Sequence, residues 1–118
     1  MIWWLYLALA SALPAQAQDP GARAFQRCAA CHSMQAQGTH SPAPSLRGLF
    51  GRRAGAAEGF AYSDAMKAAG RHGLIWDGAA LDRYLADPEA FVPGTAMPYQ
   101  GGSAAERAAV IAWLRRHP

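Results

Sequence analysis

Cys28-Ala29-Ala30-Cys31-His32 uses both cysteines of the chain and places a histidine directly behind them. A structural zinc site needs four ligands, and no second thiol pair exists to complete one. A thioredoxin-type redox pair belongs in a strand–helix–strand context, which the surrounding sequence does not offer. A disulfide across so few residues would close almost no loop and stabilise little. Covalent attachment of a c-type haem fits best. Two thiols three positions apart lie on one turn and can bond two vinyl groups on one porphyrin edge. The next residue then sits under the ring, with an imidazole nitrogen within reach of the iron.

An iron held by one histidine either takes a second protein ligand or keeps an open position for chemistry. The candidates are Met34, Met66, Met97, His40, His72 and His117. Met34 is too close to His32 to reach the other side of the ring. His117 is next to the terminus. Met97 lies in Pro93-Gly94-Thr95-Ala96-Met97-Pro98, a stretch stiffened by its prolines and suited to holding a thioether in place. A lone methionine is usually core filler; beside a haem-attachment motif, Met97 is the expected sixth ligand.

The elements that position these residues are short. The chain has 118 residues, room for one small domain. Such a domain has a marginal core of its own, which a large apolar ligand would enlarge. The formal charge is only +3 and dispersed, so nucleic-acid binding is not expected. An apolar run from Ile2 to Leu13, then Pro14 and Ala15-Gln16-Ala17, reads as a secretory signal cleaved after Ala17. It is shorter than a membrane span, so no stable insertion is expected after cleavage. Residues 18–118 would then form a single exported domain. Asp19-Pro20 opens a helix that carries Ala24, Phe25 and Cys28 at helical spacing. Residues 33–59 are rich in Gly, Pro, Ser and Gln and have no clear period, as expected of a long loop ordered around something. Ser63 can cap a helix ending near Gly70, and Asp77 another stopping before Pro88. Ser103-Ala-Ala-Glu106 is a capping box ahead of the stripe Val110, Trp113 and Leu114. The expected class is all-α, short helices joined by long ordered loops.

Read in order, the motifs resemble a soluble class I cytochrome c of the mitochondrial type and its close bacterial relatives. They are Cys-Ala-Ala-Cys-His, Ala-Pro-Ser-Leu-Arg-Gly-Leu-Phe-Gly-Arg at 43–52, Gly-Phe-Ala-Tyr-Ser-Asp-Ala at 59–65, Pro-Gly-Thr-Ala-Met at 93–97 and Glu-Arg-Ala-Ala-Val-Ile-Ala-Trp-Leu at 106–114. The resemblance implies the cytochrome c fold around one haem c, with the N- and C-terminal helices crossing where Gly21 and Phe25 meet Val110 and Trp113. It implies a monomeric periplasmic one-electron carrier rather than an enzyme. Expected partners dock at the haem edge: a quinol–cytochrome c oxidoreductase, a terminal oxidase, or a periplasmic reductase or dehydrogenase.

The same resemblance assigns site residues. Cys28, Cys31, His32 and Met97 hold the haem. Pro44 offers its carbonyl to the His32 ring. Arg52, Tyr62, Ser63 and Trp76 surround the propionates. Tyr84 and Thr95 stand near the Met97 sulfur, and His40 ties loops together. Two departures stand out. Met66 occupies the place of an asparagine that usually joins Tyr84 and Thr95 around a buried water. The lysine ring at the haem edge is nearly gone: Lys67 is the only lysine, and Glu89, Ala90 and Ala96 stand at family lysine positions.

Overall fold

The computed structural model describes residues 11–12, 19–36, 42–99 and 102–118. Most of the expected leader at 1–17 and His40 therefore lie outside the described residues. Among those described are five helices: α1 (Pro20–Ala29), α2 (Asp64–Arg71), α3 (Gly78–Ala86), α4 (Pro88–Phe91) and α5 (Ala104–Arg116). None is long and apolar enough to cross a membrane.

Each helix starts where a side-chain oxygen meets orphan N–H groups. Asp19 accepts from Gly21 N and Ala22 N at α1. Ser63 accepts from Met66 N at α2, Asp77 from Ala80 N at α3, Asp87 from Ala90 N at α4 and Ser103 from Glu106 N at α5. Four of these starts were expected from sequence. The fifth, α4, begins at Pro88, where the sequence marked only the end of α3.

Helices α1 and α5 cross at Gly21. A Cβ on Gly21 would lie 2.6 Å from both the Ala109 carbonyl oxygen and Trp113 Cβ, so only hydrogen fits between the helices. Phe25 stacks on Trp113 with ring centroids 4.2 Å apart. Arg116 pairs with Asp19 at 3.1 Å across the same junction. The expected crossing is thus present at Gly21, Phe25 and Trp113, with Ala109 as the backbone contact.

One strand-like contact was not expected. Arg53 and Ile75 form an isolated antiparallel bridge. Gly51 N donates to Trp76 O at 2.8 Å, Trp76 N to Arg52 O at 2.9 Å and Ala54 N to Leu74 O at 2.9 Å. This ladder is too short to leave an alternating pattern, yet it sets Arg52 and Trp76 side by side. The core gathers Leu49, Met66, Trp76, Leu81, Tyr84, Leu85, Val110, Ile111 and Leu114.

Candidate functional site

The last turn of α1 and the turn just beyond it present the thiols. Cys28 ends the helix half-buried, and both Cys31 N and His32 N donate back to the Cys28 carbonyl, at 3.0 and 2.7 Å. The chain is thereby folded into a tight turn with Cys31 exposed and His32 directed inward. His32 Nδ1 lies 2.6 Å from the Pro44 carbonyl oxygen. A carbonyl can only accept, so Nδ1 carries the proton and Nε2 keeps a free lone pair. Burial lowers the pKa of His32, and the Arg52 charge adds to this, while the Pro44 bond opposes it. The ring is therefore held neutral, with its basic nitrogen available to a metal. Burial also raises the pKa of the Cys28 thiol, against the opposing pull of Arg27.

Pro44 is held by its neighbours. Leu46 N donates to Ser33 O at 2.8 Å, and the Ser45 hydroxyl bonds the Gln35 carbonyl. The aperiodic segment is thus tied to the chain just past His32.

On the other side of the core, Val92-Pro93-Gly94-Thr95 makes a tight turn closed by Thr95 N donating to Val92 O at 2.9 Å. Gly94 has φ 89°, the third-position conformation that glycine adopts after proline in such a turn. The turn brings Thr95 to Tyr84, whose hydroxyl lies 2.5 Å from Thr95 Oγ1. Burial pushes the Tyr84 phenol up; the Thr95 bond opposes this and the Glu89 charge adds to it.

Between these walls is a cavity of about 270 Å³. Cys28, Cys31, His32, Pro44, Arg52, Tyr62, Ser63, Trp76, Tyr84, Thr95 and Met97 all line it, so every expected site residue faces one space. Arg52 uses its guanidinium on carbonyls, donating to Ser45 O at 2.9 Å and Arg47 O at 3.2 Å. The Tyr62 hydroxyl accepts from Ala57 N at 3.2 Å. The Ser63 hydroxyl caps α2, so its first task is local. Of the sixth-ligand candidates among the described residues, only Met66 and Met97 line the cavity. Met34 packs against the core elsewhere, His72 is exposed, and His117 is exposed and stacks on Trp113 at 4.1 Å.

Several lining residues were not singled out from sequence. Leu81 and Leu85 supply apolar wall from α3, beside Val110 and Leu114 of the expected α5 stripe. Leu81, Tyr84 and Leu85 repeat at helical spacing, a signal that could have found them. Leu46 and Leu49 come from the aperiodic segment and Phe60 from just past it, where no such signal exists. The donor set fits a haem. Two thiols share one edge, a neutral imidazole offers Nε2, thioethers come from another wall, and leucine and valine cover the rest.

The comparisons agree with this geometry. The cytochrome c family model matches residues 18–118. Cytochrome c2 of Blastochloris viridis is 41% identical over 103 residues, covering 86% of this chain and 79% of that protein. Cytochrome c2 iso-2 of Magnetospirillum fulvum is 45% identical over 93 residues, covering 78% and 93%. The solved structure of cytochrome c2 from Rhodospirillum centenum superposes with a TM-score of 0.77 at 33% identity, covering 84% of this chain and 98% of that one. The expected all-α fold is that of these structures, and the likeness in sequence carries the expected cofactor, one covalent haem c, and the role of electron carrier rather than enzyme. The chain belongs to the cytochrome c family.

Proposed function

We propose that this protein is a periplasmic one-electron carrier whose haem c is bound through Cys28 and Cys31 and closed axially by His32 and Met97. One observation carries the reading: both thiols, an imidazole with a free Nε2, and Met97 line a single mostly apolar cavity. Haem c, when bound, supplies a one-electron couple at its iron. Cys28 and Cys31 would hold one edge of it through thioether bonds, so the group would not diffuse away between partners. Pro44 fixes the His32 tautomer and ring plane from behind. The Pro93–Pro98 loop holds the Met97 thioether in place, and Tyr84 and Thr95 close the wall beside it. With His32 and Met97 as the two iron ligands, the bound haem would keep no position for a substrate. Arg52, Tyr62, Ser63 and Trp76 line one part of the cavity wall, where a cation and hydroxyl groups would offset the cost of burying the haem's carboxylates.

The leader ending at Ala17 accounts for export, and residues 18–118 form the working domain. In that compartment the partners would be membrane or periplasmic redox enzymes: a quinol–cytochrome c oxidoreductase on one side, a terminal oxidase, reductase or dehydrogenase on the other. The test is potentiometric titration of the purified protein, paired with haem staining after denaturation. A single one-electron transition, with haem retained on the denatured chain, is the expected result. Haem lost on denaturation would contradict attachment through Cys28 and Cys31. A two-electron transition would contradict the carrier role.

Met66 gives a second check on the pocket. It is 8% exposed and lines the cavity with Tyr84 and Thr95, whose hydroxyls already satisfy each other. Met66→Asn places an amide where a thioether packed. A buried amide without full partners costs about 2 kcal/mol, or roughly 8–15 °C in melting temperature for a domain of this size. Thermal melts followed by circular dichroism should show that drop, with the ferric spin state unchanged. An unchanged melting temperature would mean that Met66 does not pack against the haem.

A further inference from the structure

The segment that carries Met97 is anchored at both ends, and both anchors lead to α3. At its start, Thr95 meets Tyr84 of α3. At its end is Gly102, just ahead of the Ser103 cap of α5. Arg107, near the start of α5, donates from Nη1 to the Gly102 carbonyl at 3.0 Å and from Nε to Asp82 Oδ1 of α3 at 2.9 Å. Asp82 and Tyr84 belong to the same helix. One guanidinium thus ties the far end of the Met97 segment to the helix that holds its near end.

The contact is more sheltered than a solvated surface pair. The Arg107 side chain is 18% exposed, whereas the cations of the other ion pairs among the described residues are 50–57% exposed. An ion pair open to water contributes little, and charge-assisted hydrogen bonds shielded from it contribute more. The Gly102 backbone is also closely packed: a Cβ there would lie 2.5 Å from the Glu106 carboxylate. Glu106 in turn pairs with Arg27 at 3.3 Å, one residue ahead of Cys28.

We infer that Arg107 is a positioning residue for the sixth ligand: it pins Gly102 to α3 and α5, and so resists withdrawal of the Met97 thioether from the iron. The inference rests on the Met97 reading above. Arg107 is not among the residues that line the cavity, so it acts through the chain between Met97 and Gly102. Its planar fork reaches a carboxylate and a carbonyl at once, which the point charge of a lysine ammonium does not reproduce.

Imidazole binding to the ferric, haem-loaded protein tests this. Added imidazole takes the sixth position only while Met97 is away from it, so its apparent affinity rises in proportion to the open fraction. Global unfolding populates too few molecules at room temperature to contribute, so a purely structural loss would not move it. Arg107→Gln should raise the affinity about tenfold, the size expected when a hydrogen bond from a charged group is lost. Arg107→Lys should recover part of the difference. Arg116→Gln is the control: it removes an ion pair from the other end of α5 and should leave the affinity within about twofold of wild type. An affinity within about twofold of wild type in Arg107→Gln would overturn the inference. So would an equal rise in the Arg107 and Arg116 variants, which would report general loosening. If Arg107→Gln fails to fold, Asp82→Ala carries the test. It removes the carboxylate that aims the guanidinium and leaves α5 complete. Its affinity should rise severalfold, and an unchanged affinity would overturn the inference. A wild-type ferric protein without a methionine-to-iron band would instead refute the Met97 reading, and the inference with it.

Discussion

Met97→Ala should abolish the native low-spin spectrum and leave the haem attached. The two functions are held by separate parts of the chain. On the proposed reading, attachment depends on Cys28 in the last turn of α1 and Cys31 just beyond it, and the sixth position on the loop after the Pro93-Gly94 turn. Removing the thioether would take away the proposed ligand but touches neither thiol nor the His32–Pro44 bond. The ferric protein should lose its methionine-to-iron absorption band, and the ferrous protein should bind carbon monoxide readily. Met66 is the only other sixth-ligand candidate among the described residues that lines the cavity. A variant that kept the wild-type methionine band would therefore move the assignment to Met66, and Met66→Ala in the same background would then remove the band.

Gly21→Val should be the most destabilising single change at the helix crossing. Two effects compete there. In an exposed helix, replacing glycine gains about 0.5–1 kcal/mol from propensity and chain entropy. At Gly21 a Cβ would lie 2.6 Å from the Ala109 carbonyl and from Trp113 Cβ, and backbone does not yield cheaply. Overpacking costs about 1–3 kcal/mol in typical cores, and more where a rigid element must shift. The overpacking cost wins. We expect Gly21→Val to lose about 3 kcal/mol, roughly 15 °C in melting temperature, and Gly21→Ala to lose less. The Phe25–Trp113 stack should loosen with it, visible in near-ultraviolet circular dichroism. A variant as stable as wild type would mean that α1 and α5 do not cross at this glycine.

These two predictions draw on parts of the protein that were unequally visible in the sequence. The attachment motif is local: Cys28, Cys31 and His32 sit on one turn, so spacing alone carries their geometry. The caps at Asp19, Ser63, Asp77 and Ser103 are local as well, and each opens the helix its sequence announces. Gly21 and Phe25 are different. Their role depends on a helix some ninety positions away, and only the order of motifs along the chain pointed to it. The Arg53–Ile75 bridge left no trace, since a single pair has no period to detect. Phe60, Leu46 and Leu49 face the cavity from irregular backbone, where neither the 3.6 nor the 2.0 repeat applies. The Arg27–Glu106 pair joins two helices and shows only when both are in place.

Binding of carbon monoxide to the wild-type ferrous protein tests the central claim most directly. If His32 and Met97 hold both axial positions, the absorption spectrum at neutral pH should be the same before and after the gas is added. A shifted Soret band, with the stoichiometry of one gas molecule per haem, would show an open or readily vacated site. The protein would then be a haem enzyme or a gas sensor and not a closed electron carrier.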